Sequence, residues 1–295
     1  MCPLLPLRQA QAAFRTSGTT TDLPGIHEFE SLDLYRSACV RSFQRFVTPD
    51  WSEATPVVAV YLMADPGDNG TSSLAYMLKQ LAANYRVSST NWLAEPGPVI
   101  TNKGLETFRQ LLTEAHRSGQ RMLLCGPAFA YLALLDLEEN SDKTTDHAVS
   151  LTLPTKSRIV ETGGFKGRTR EIARNEFHQL LSSKFAVPLT DIINEYGMTE
   201  LTSQFYDGTQ IVGHSTDHKQ CDPWLKAWIV DPVTGERLPP GQVGAIRIFD
   251  LLNLDSSVIV QTEDGGMAYE DGFFSVLGRL PRATPRGCSL PFEPS

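Results

Sequence analysis

Arg158-Ile159-Val160-Glu161-Thr162-Gly163-Gly164 reads as a strand running into a glycine turn, and residues 169–184 behind it read as a helix. An apolar, partly β-branched run that ends at paired glycines and continues as a helix is the βα unit of a parallel sheet. The same alternation recurs on either side. Residues 57–63 form a continuous apolar run, as expected of a strand buried on both faces. Residues 72–86 place Leu74, Met77, Leu78 and Leu81 on one helical face. Thr101 can cap a helix carrying Leu105, Phe108, Leu112 and Ala115, and Gly119 can end it. Residues 121–125 read as a strand, Gly126-Pro127 as a turn, and 128–137 as a helix followed by a polar loop. Residues 190–194 form another strand that enters a turn at Gly197. This alternation predicts an α/β fold with a largely parallel sheet and flanking helices.

Beyond about residue 205 the rhythm changes. Residues 225–231 and 244–249, joined through Val233-Thr234-Gly235-Glu236, read as an antiparallel hairpin, and 258–262 and 273–277 as further short strands. The expected organisation is an α/β core over 1–205, a smaller β-rich subdomain over 206–280 and a proline-bearing tail over 281–295.

The 295 residues carry a net charge of −8 with Lys and Arg scattered, which excludes the basic face a nucleic-acid partner needs. Cys2, Cys39, Cys125, Cys221 and Cys288 are odd in number and widely spaced, so neither a disulfide framework nor a zinc site is expected, and a reducing cytoplasm fits. No apolar run reaches membrane-span length, and the proline-rich first six residues are too short for a signal peptide.

Four constellations carry chemistry. Arg15-Thr16-Ser17-Gly18-Thr19-Thr20-Thr21 gathers five hydroxyls around one glycine. Such a loop turns tightly and directs N–H and O–H donors at phosphate oxygens, although alone it is equally a polar surface turn. It is not a Walker loop, because no Gly-Lys-Ser/Thr follows. Asn194-Glu195-Tyr196-Gly197-Met198-Thr199-Glu200 follows a strand, where α/β folds bind ligands. Tyr196 offers a flat face to a purine, Thr199 a hydroxyl to a phosphate, and Glu200 a carboxylate to Mg²⁺. Gly163-Gly164, with Lys166 beyond, lets a ligand approach the backbone, or simply connects strand to helix. In the run 261–265, Asp264 can accept ribose hydroxyls and Arg279 can donate to the same sugar, while alone Asp264 is an ordinary turn residue.

In this order the four resemble the successive core motifs of the adenylate-forming superfamily. The finer resemblance is to its acyl-protein synthetase (LuxE) family, over nearly the whole chain. It is carried by 14–20, by Thr162-Gly163-Gly164-Phe165-Lys166-Gly167, and by 194–201 with Ser203-Gln204-Phe205-Tyr206. It continues in Phe249-Asp250-Leu251 with Asn253-Leu254-Asp255-Ser256, Gln261-Thr262-Glu263-Asp264, Asp271-Gly272-Phe273, Gly278-Arg279 and Arg286-Gly287-Cys288-Ser289-Leu290. The resemblance implies an α/β fold like the N-terminal domain of adenylate-forming enzymes. It further implies activation of a carboxylic acid, a long-chain fatty acid above all, with ATP and Mg²⁺, and then acyl transfer to an enzyme cysteine.

Carried over, Thr16, Ser17, Gly18, Thr19 and Thr20 would hold the departing phosphates. Gly163, Gly164 and the turn Tyr196-Gly197-Met198 would border the adenine. Thr199 would touch the α-phosphate, Glu200 the metal, and Asp264 and Arg279 the ribose. Lys166 would bring charge near the carboxylate or α-phosphate, unless it is a solvated helix-start lysine. Cys288, beside Arg286, would accept the acyl group, where the plain alternative is a spare tail cysteine. An acyl-reductase or acyl-carrier partner would take the group onward.

The hydroxyl loop departs from the superfamily pattern. It runs on as Thr21-Asp22-Leu23-Pro24, where Gly and then a Pro-Lys pair are usual. The resemblance also leads one to expect a truncated N-terminal segment, and absence of the mobile C-terminal domain with its catalytic lysine. A phenylacetate-type acyl- or aryl-CoA ligase and a non-catalytic nucleotide- or acyl-binding subunit are the rival readings.

Overall fold

The computed structural model describes residues 10–16, 25–52, 54–67, 70–95, 99–141, 150–164, 172–207 and 218–280. Strands β1 (Ala12–Arg15) and β2 (Ile26–Phe29) form an antiparallel ribbon with Phe14 opposite His27. Helix α1 (Asp33–Phe46) leads to β3 (Pro56–Tyr61), α2 (Ser73–Asn84) and β4 (Arg86–Trp92). A small ribbon, β5 (Ala94–Glu95) with β6 (Val99–Ile100), precedes α3 (Asn102–Ser118). Then come β7 (Arg121–Pro127), α4 (Ala128–Asn140), β8 (Arg158–Thr162), α5 (Arg174–Phe185) and β9 (Ile192–Tyr196).

Strands β4, β3, β7, β8 and β9 pair in that spatial order, each parallel to its neighbour. The chain starts at β3, steps out to β4, and then returns across β3 to β7, β8 and β9. Right-handed crossovers place the helix of the first step on one face and those of the later steps on the other. The cores agree. Met77, Leu78 and Leu81 of α2 pack with Phe43 and Phe46 of α1 against Val57, Ala59, Tyr61, Leu123, Cys125 and Ile193. Phe108 and Leu112 of α3, Leu132 and Leu135 of α4, and Phe177 and Phe185 of α5 pack against the alternate residues Val58, Val60, Met122, Leu124 and Ile192. With both faces covered, the strands read as unbroken apolar runs.

The helices begin and end for local reasons. Ser72 Oγ accepts from Ala75 N at 3.2 Å at the start of α2, and Thr101 Oγ1 from Gly104 N at 3.4 Å at the start of α3. Gly119, at φ +67, closes α3 in the left-handed conformation. The helix expected over 169–184 is described from Arg174; residues 165–171 lie outside the described set. Before α3, several elements have no counterpart in the sequence reading: the β1–β2 and β5–β6 ribbons, β4 and α1. For α1 the signal existed, since Tyr35, Cys39, Phe43 and Phe46 recur at helical spacing and are all buried.

After β9 the sheet turns antiparallel. Strands β10 (Phe205–Asp207), β11 (Lys219–Gln220), β12 (Leu225–Val230), β13 (Val243–Asp250), β14 (Ile259–Ala268) and β15 (Phe274–Arg279) continue it in the spatial order β9-β10-β11-β15-β14-β13-β12. The strands expected in a smaller β-rich part are therefore hydrogen-bonded into the same sheet, described with eleven strands. The physical reason is that β10 folds back on β9, Phe205 opposite Tyr196, and pairs what would be an open edge. A third core of Leu201, Phe205, Leu225, Ile229, Ile246, Ile248 and Phe274 underlies this part. Among the described residues, no helix is long and apolar enough to cross a membrane.

Candidate active site

Thr162 and Glu195 lie side by side at the carboxyl ends of β8 and β9. The Gly163-Gly164 turn and the turn at Gly197 therefore leave the sheet together, at the edge where α/β folds bind ligands. Gly163 has φ +70, and a Cβ at Gly163 or Gly164 would meet nothing within 4 Å. Among the described residues, nothing crowds this turn.

Tyr196 ends β9. Its ring packs near Phe205 and Phe274, and its hydroxyl donates to Asp264 Oδ2 at 2.9 Å. Asp264 lies opposite Arg279 across β14 and β15, with Arg279 Nε 3.6 Å from Asp264 Oδ1. Arg279 Nη1 also reaches Glu263 at 2.9 Å. The three residues expected around adenine and ribose thus converge from three strands. One Asp264 oxygen is occupied by Tyr196, which leaves Oδ1 as the acceptor free of that phenol. Burial first, and then Asp264, push the Tyr196 phenol far above its ordinary range, so it stays a donor.

The turn after Tyr196 carries Thr199 and Glu200. Thr199 O accepts from His27 Nδ1 at 2.7 Å, and Thr199 Oγ1 lies 3.5 Å from Ser73 Oγ. The Glu200 residue is exposed, while its carbonyl accepts from Asn253 Nδ2 at 2.8 Å. Only an N–H can donate to a carbonyl, so His27 carries its proton on Nδ1. Burial lowers the His27 pKa, partly countered by the Thr199 bond and by Glu200, Asp255 and Asp250, which keeps the ring neutral near pH 7.

His27 belongs to the β1–β2 ribbon, and Thr16 directly follows β1. Thr16 N donates to Gly25 O at 2.9 Å, and Gly25 N donates to Thr16 Oγ1 at 2.8 Å, closing the base of the hydroxyl loop. The ribbon is anchored by packing of Phe14 and Phe29 with Tyr35 and by Glu30 N donating to Asp255 Oδ2 at 2.9 Å. The base of the loop is thereby tied to the turn bearing Thr199 and Glu200. Ser17, Gly18, Thr19 and Thr20 lie outside the described residues, as do Lys166 and Cys288.

Beneath the site runs a buried charge network that sequence reasoning missed. Lys219 Nζ donates to Asp207 Oδ1 at 2.6 Å, to Asn194 O at 3.1 Å and to Asn194 Oδ1. Asp207 Oδ2 in turn accepts from Asn194 N at 3.0 Å. Burial lowers the lysine and raises the aspartate, and their mutual attraction opposes both shifts. Glu161 pairs with His178 Nε2 at 3.0 Å. Burial alone would raise Glu161, but His178, Arg174 and Lys219 outweigh it and hold the carboxyl below its usual range.

Glu195, on the opposite face of β9, accepts from Thr162 Oγ1. Its carboxyl folds over Gly197, where a Cβ would lie 2.3 Å from Glu195 Oε1, so any larger residue there would have to displace the Glu195 carboxyl. Burial pushes Glu195 up from 4.5 to about 7; Thr162 and Lys219 oppose this and Glu161 adds to it. A carboxyl raised on folding stabilises the protonated fold, and that stability is lost as pH rises from the unfolded to the folded pKa. Wild type is therefore expected to lose about 3 kcal/mol relative to Glu195→Gln between pH 4.5 and 7, with a flat difference above that. Urea unfolding of both proteins across this window checks it, and a constant difference refutes it.

A nucleotide fits this edge: no described residue crowds Gly163-Gly164, Tyr196 offers an aromatic ring, and Asp264 and Arg279 form a carboxylate–guanidinium pair. Among the described residues, no group of three or more His, Cys, Asp or Glu gathers as a metal cage. A single exposed carboxylate, Glu200, suits Mg²⁺, which is bound by one or two carboxylates together with substrate phosphates.

Fold and edge define the class. The chain superposes on ATP-bound MatB from Rhodopseudomonas palustris with a TM-score of 0.62 at 17% identity, covering 93% of this chain and 49% of that one. It superposes on O-succinylbenzoate coenzyme A synthetase (MenE) from Bacillus subtilis, in complex with AMP, with a TM-score of 0.58 at 15% identity, covering 92% and 50%. At such identities the likeness is one of fold, that of the adenylate-forming enzymes. The family described as "Acyl-protein synthetase, LuxE" matches residues 71–294, and the chain belongs to that family. The long-chain-fatty-acid–luciferin-component ligase of Vibrio harveyi is 25% identical over 183 residues, 59% of this chain and 45% of that protein. The ligase of the same name from Aliivibrio fischeri is 22% identical over 195 residues, 63% and 48%. The chain thus spans about half the length of the curated relatives and solved structures it matches.

Proposed function

We propose that this protein uses ATP to activate a carboxylic acid, a long-chain fatty acid, as its acyl-adenylate, and then passes the acyl group to Cys288. The observation that carries the reading is the convergence of Tyr196, Asp264 and Arg279 near the Gly163-Gly164 turn, one turn away from Thr199 and Glu200. In the first step a carboxylate oxygen attacks the α-phosphorus, the new O–P bond forms, and pyrophosphate leaves with the electron pair of the broken bond. Negative charge gathers on the phosphates, so fixed donors and cations accelerate the step. Thr199 offers its hydroxyl to the α-phosphate. Thr16, Ser17, Gly18, Thr19 and Thr20 cradle the departing pyrophosphate, and Lys166 adds charge near the reacting carboxylate. Glu200 would hold Mg²⁺, which when bound neutralises phosphate charge. Asp264 and Arg279 orient the ribose.

The described cysteines support a nucleophile elsewhere in the chain. Burial pushes the thiols of Cys39 and Cys221 up to about 12, and Cys125 is fully buried with its pKa raised further, so none offers a thiolate near neutral pH. Acyl transfer to a reductase or carrier partner would complete the sequence.

The test is ATP–pyrophosphate exchange over a series of carboxylic acids. Saturable exchange with long-chain fatty acids is expected. Exchange with short or aromatic acids only would overturn the substrate class, and no exchange with any acid would overturn adenylation. Thioester formation with free coenzyme A, without labelling of the protein, would select a coenzyme A ligase instead.

A further inference from the structure

The loop that bears Thr199 and Glu200 runs from 197 to 204, between β9 and β10. Within it, Leu201 N donates to Met198 O at 3.1 Å. Three further backbone groups of the loop, Glu200 O, Thr202 N and Ser203 N, are held from the far end of β13. Asp250 Oδ2 accepts from Thr202 N at 2.9 Å and Ser203 N at 2.8 Å. Its Oδ1 accepts from Ser203 Oγ at 2.9 Å and Leu252 N at 3.1 Å. Asn253 Nδ2 donates to Glu200 O and to Ser257 O, both at 2.8 Å, while its Oδ1 accepts from Thr202 Oγ1 at 3.1 Å.

Both side chains are buried, and the four hydrogen bonds to the Asp250 carboxyl all come from neutral groups. Burial pushes its pKa up, and Ser203, Leu252 and Thr202 pull it back. A buried carboxylate held by neutral donors alone is costly, and a loop that only needed closing could dispense with it. The chemistry nevertheless matches. Four donors converge on Asp250, and only an ionised carboxylate offers acceptor sites alone. The outcome is selective: the backbone of 200–203 is fixed, while the Glu200 carboxylate stays exposed.

We propose that Asp250 and Asn253 are positioning residues for adenylation, which fix the 200–203 backbone so that the Glu200 carboxylate meets the metal–polyphosphate at a constant place. The inference rests on the reading of Glu200 as metal-binding. Residues that orient a metal ligand from behind are worth about 10–100-fold in metal affinity.

The experiment is calorimetric titration of ATP at graded Mg²⁺ concentrations, on wild type, Glu200→Gln, Asn253→Ala, Asn253→Asp and Asp250→Asn, with thermal melts of each. Asn253→Ala is expected to raise half-saturating Mg²⁺ about tenfold or more, with metal-free ATP binding unchanged. Asn253→Asp keeps the side-chain volume but loses both donors, and should show the same shift. A merely structural role would lower the melting midpoint and leave the Mg²⁺ dependence of the folded protein alone. If Asp250→Asn does not fold, the two Asn253 variants decide. If Glu200→Gln raises half-saturating Mg²⁺ and the folded Asn253 variants do not, the positioning inference alone is overturned. If Glu200→Gln leaves half-saturation unchanged, the metal reading of Glu200 fails and takes this inference with it.

Discussion

Lys219→Met is expected to destabilise the protein by about 3–5 kcal/mol, the range for removing one partner of a buried ion pair. Lys219 and Asp207 are both fully inaccessible, and the ammonium bonds three oxygens, those of Asp207 and Asn194. Methionine fills similar volume but leaves the Asp207 charge with Asn194 N as its remaining described partner. It also removes the cation that restrains the pKa of Glu195 and of Glu161. Asp207→Asn in the same chain is expected to recover part of the loss, because the double variant buries no unpaired charge there. Urea unfolding of the four proteins of this cycle measures both effects. A single-variant loss under about 1 kcal/mol at unchanged m-value would show that the pair contributes little net stability. The consequence reaches the site, since Asn194 directly precedes Glu195 and Tyr196 on β9.

Cys288→Ser is expected to abolish the hydroxylamine-sensitive acyl-enzyme completely while acyl-adenylate formation continues. In the proposed second step the thiolate attacks the acyl carbonyl, a C–S bond forms, and AMP leaves with the electrons of the broken acyl–oxygen bond. The thiol proton goes to solvent. In the proposed step, Arg286, two residues away in sequence, would favour the thiolate. Serine retains the shape but lacks an anion near neutral pH. Undiminished labelling of the variant by radiolabelled acid and ATP would eliminate Cys288. Loss of pyrophosphate exchange together with labelling would place it in the first step instead.

How much of this was legible in advance differs from element to element. The βα units at 121–137 and 158–185 were legible because their signals are local: an apolar run, a glycine or proline turn, and then helical periodicity. Thr101 and Gly119 marked the ends of α3 because capping is settled within one turn of backbone. Helix α1 was legible in principle through Tyr35, Cys39, Phe43 and Phe46, but its moderate periodicity is interleaved with Arg36, Arg41 and Arg45. Tyr196, Thr199, Glu200, Asp264 and Arg279 were each nameable by residue type and order. That Tyr196 bonds Asp264 across 68 positions was not.

The sequence by itself determined that strands and helices alternate, where most of them stop, and which side chains have the chemistry to meet a nucleotide. Those properties depend on neighbours within a few residues. Only the tertiary structure decided that β3 lies between β4 and β7, that β10 to β15 extend the same sheet, and that Lys219, Asp250 and Asn253 are buried beneath and behind the site. Strand order and the burial of a polar side chain depend on partners tens of residues away. A lysine or asparagine in the sequence carries no mark of whether water or a carboxylate will surround it.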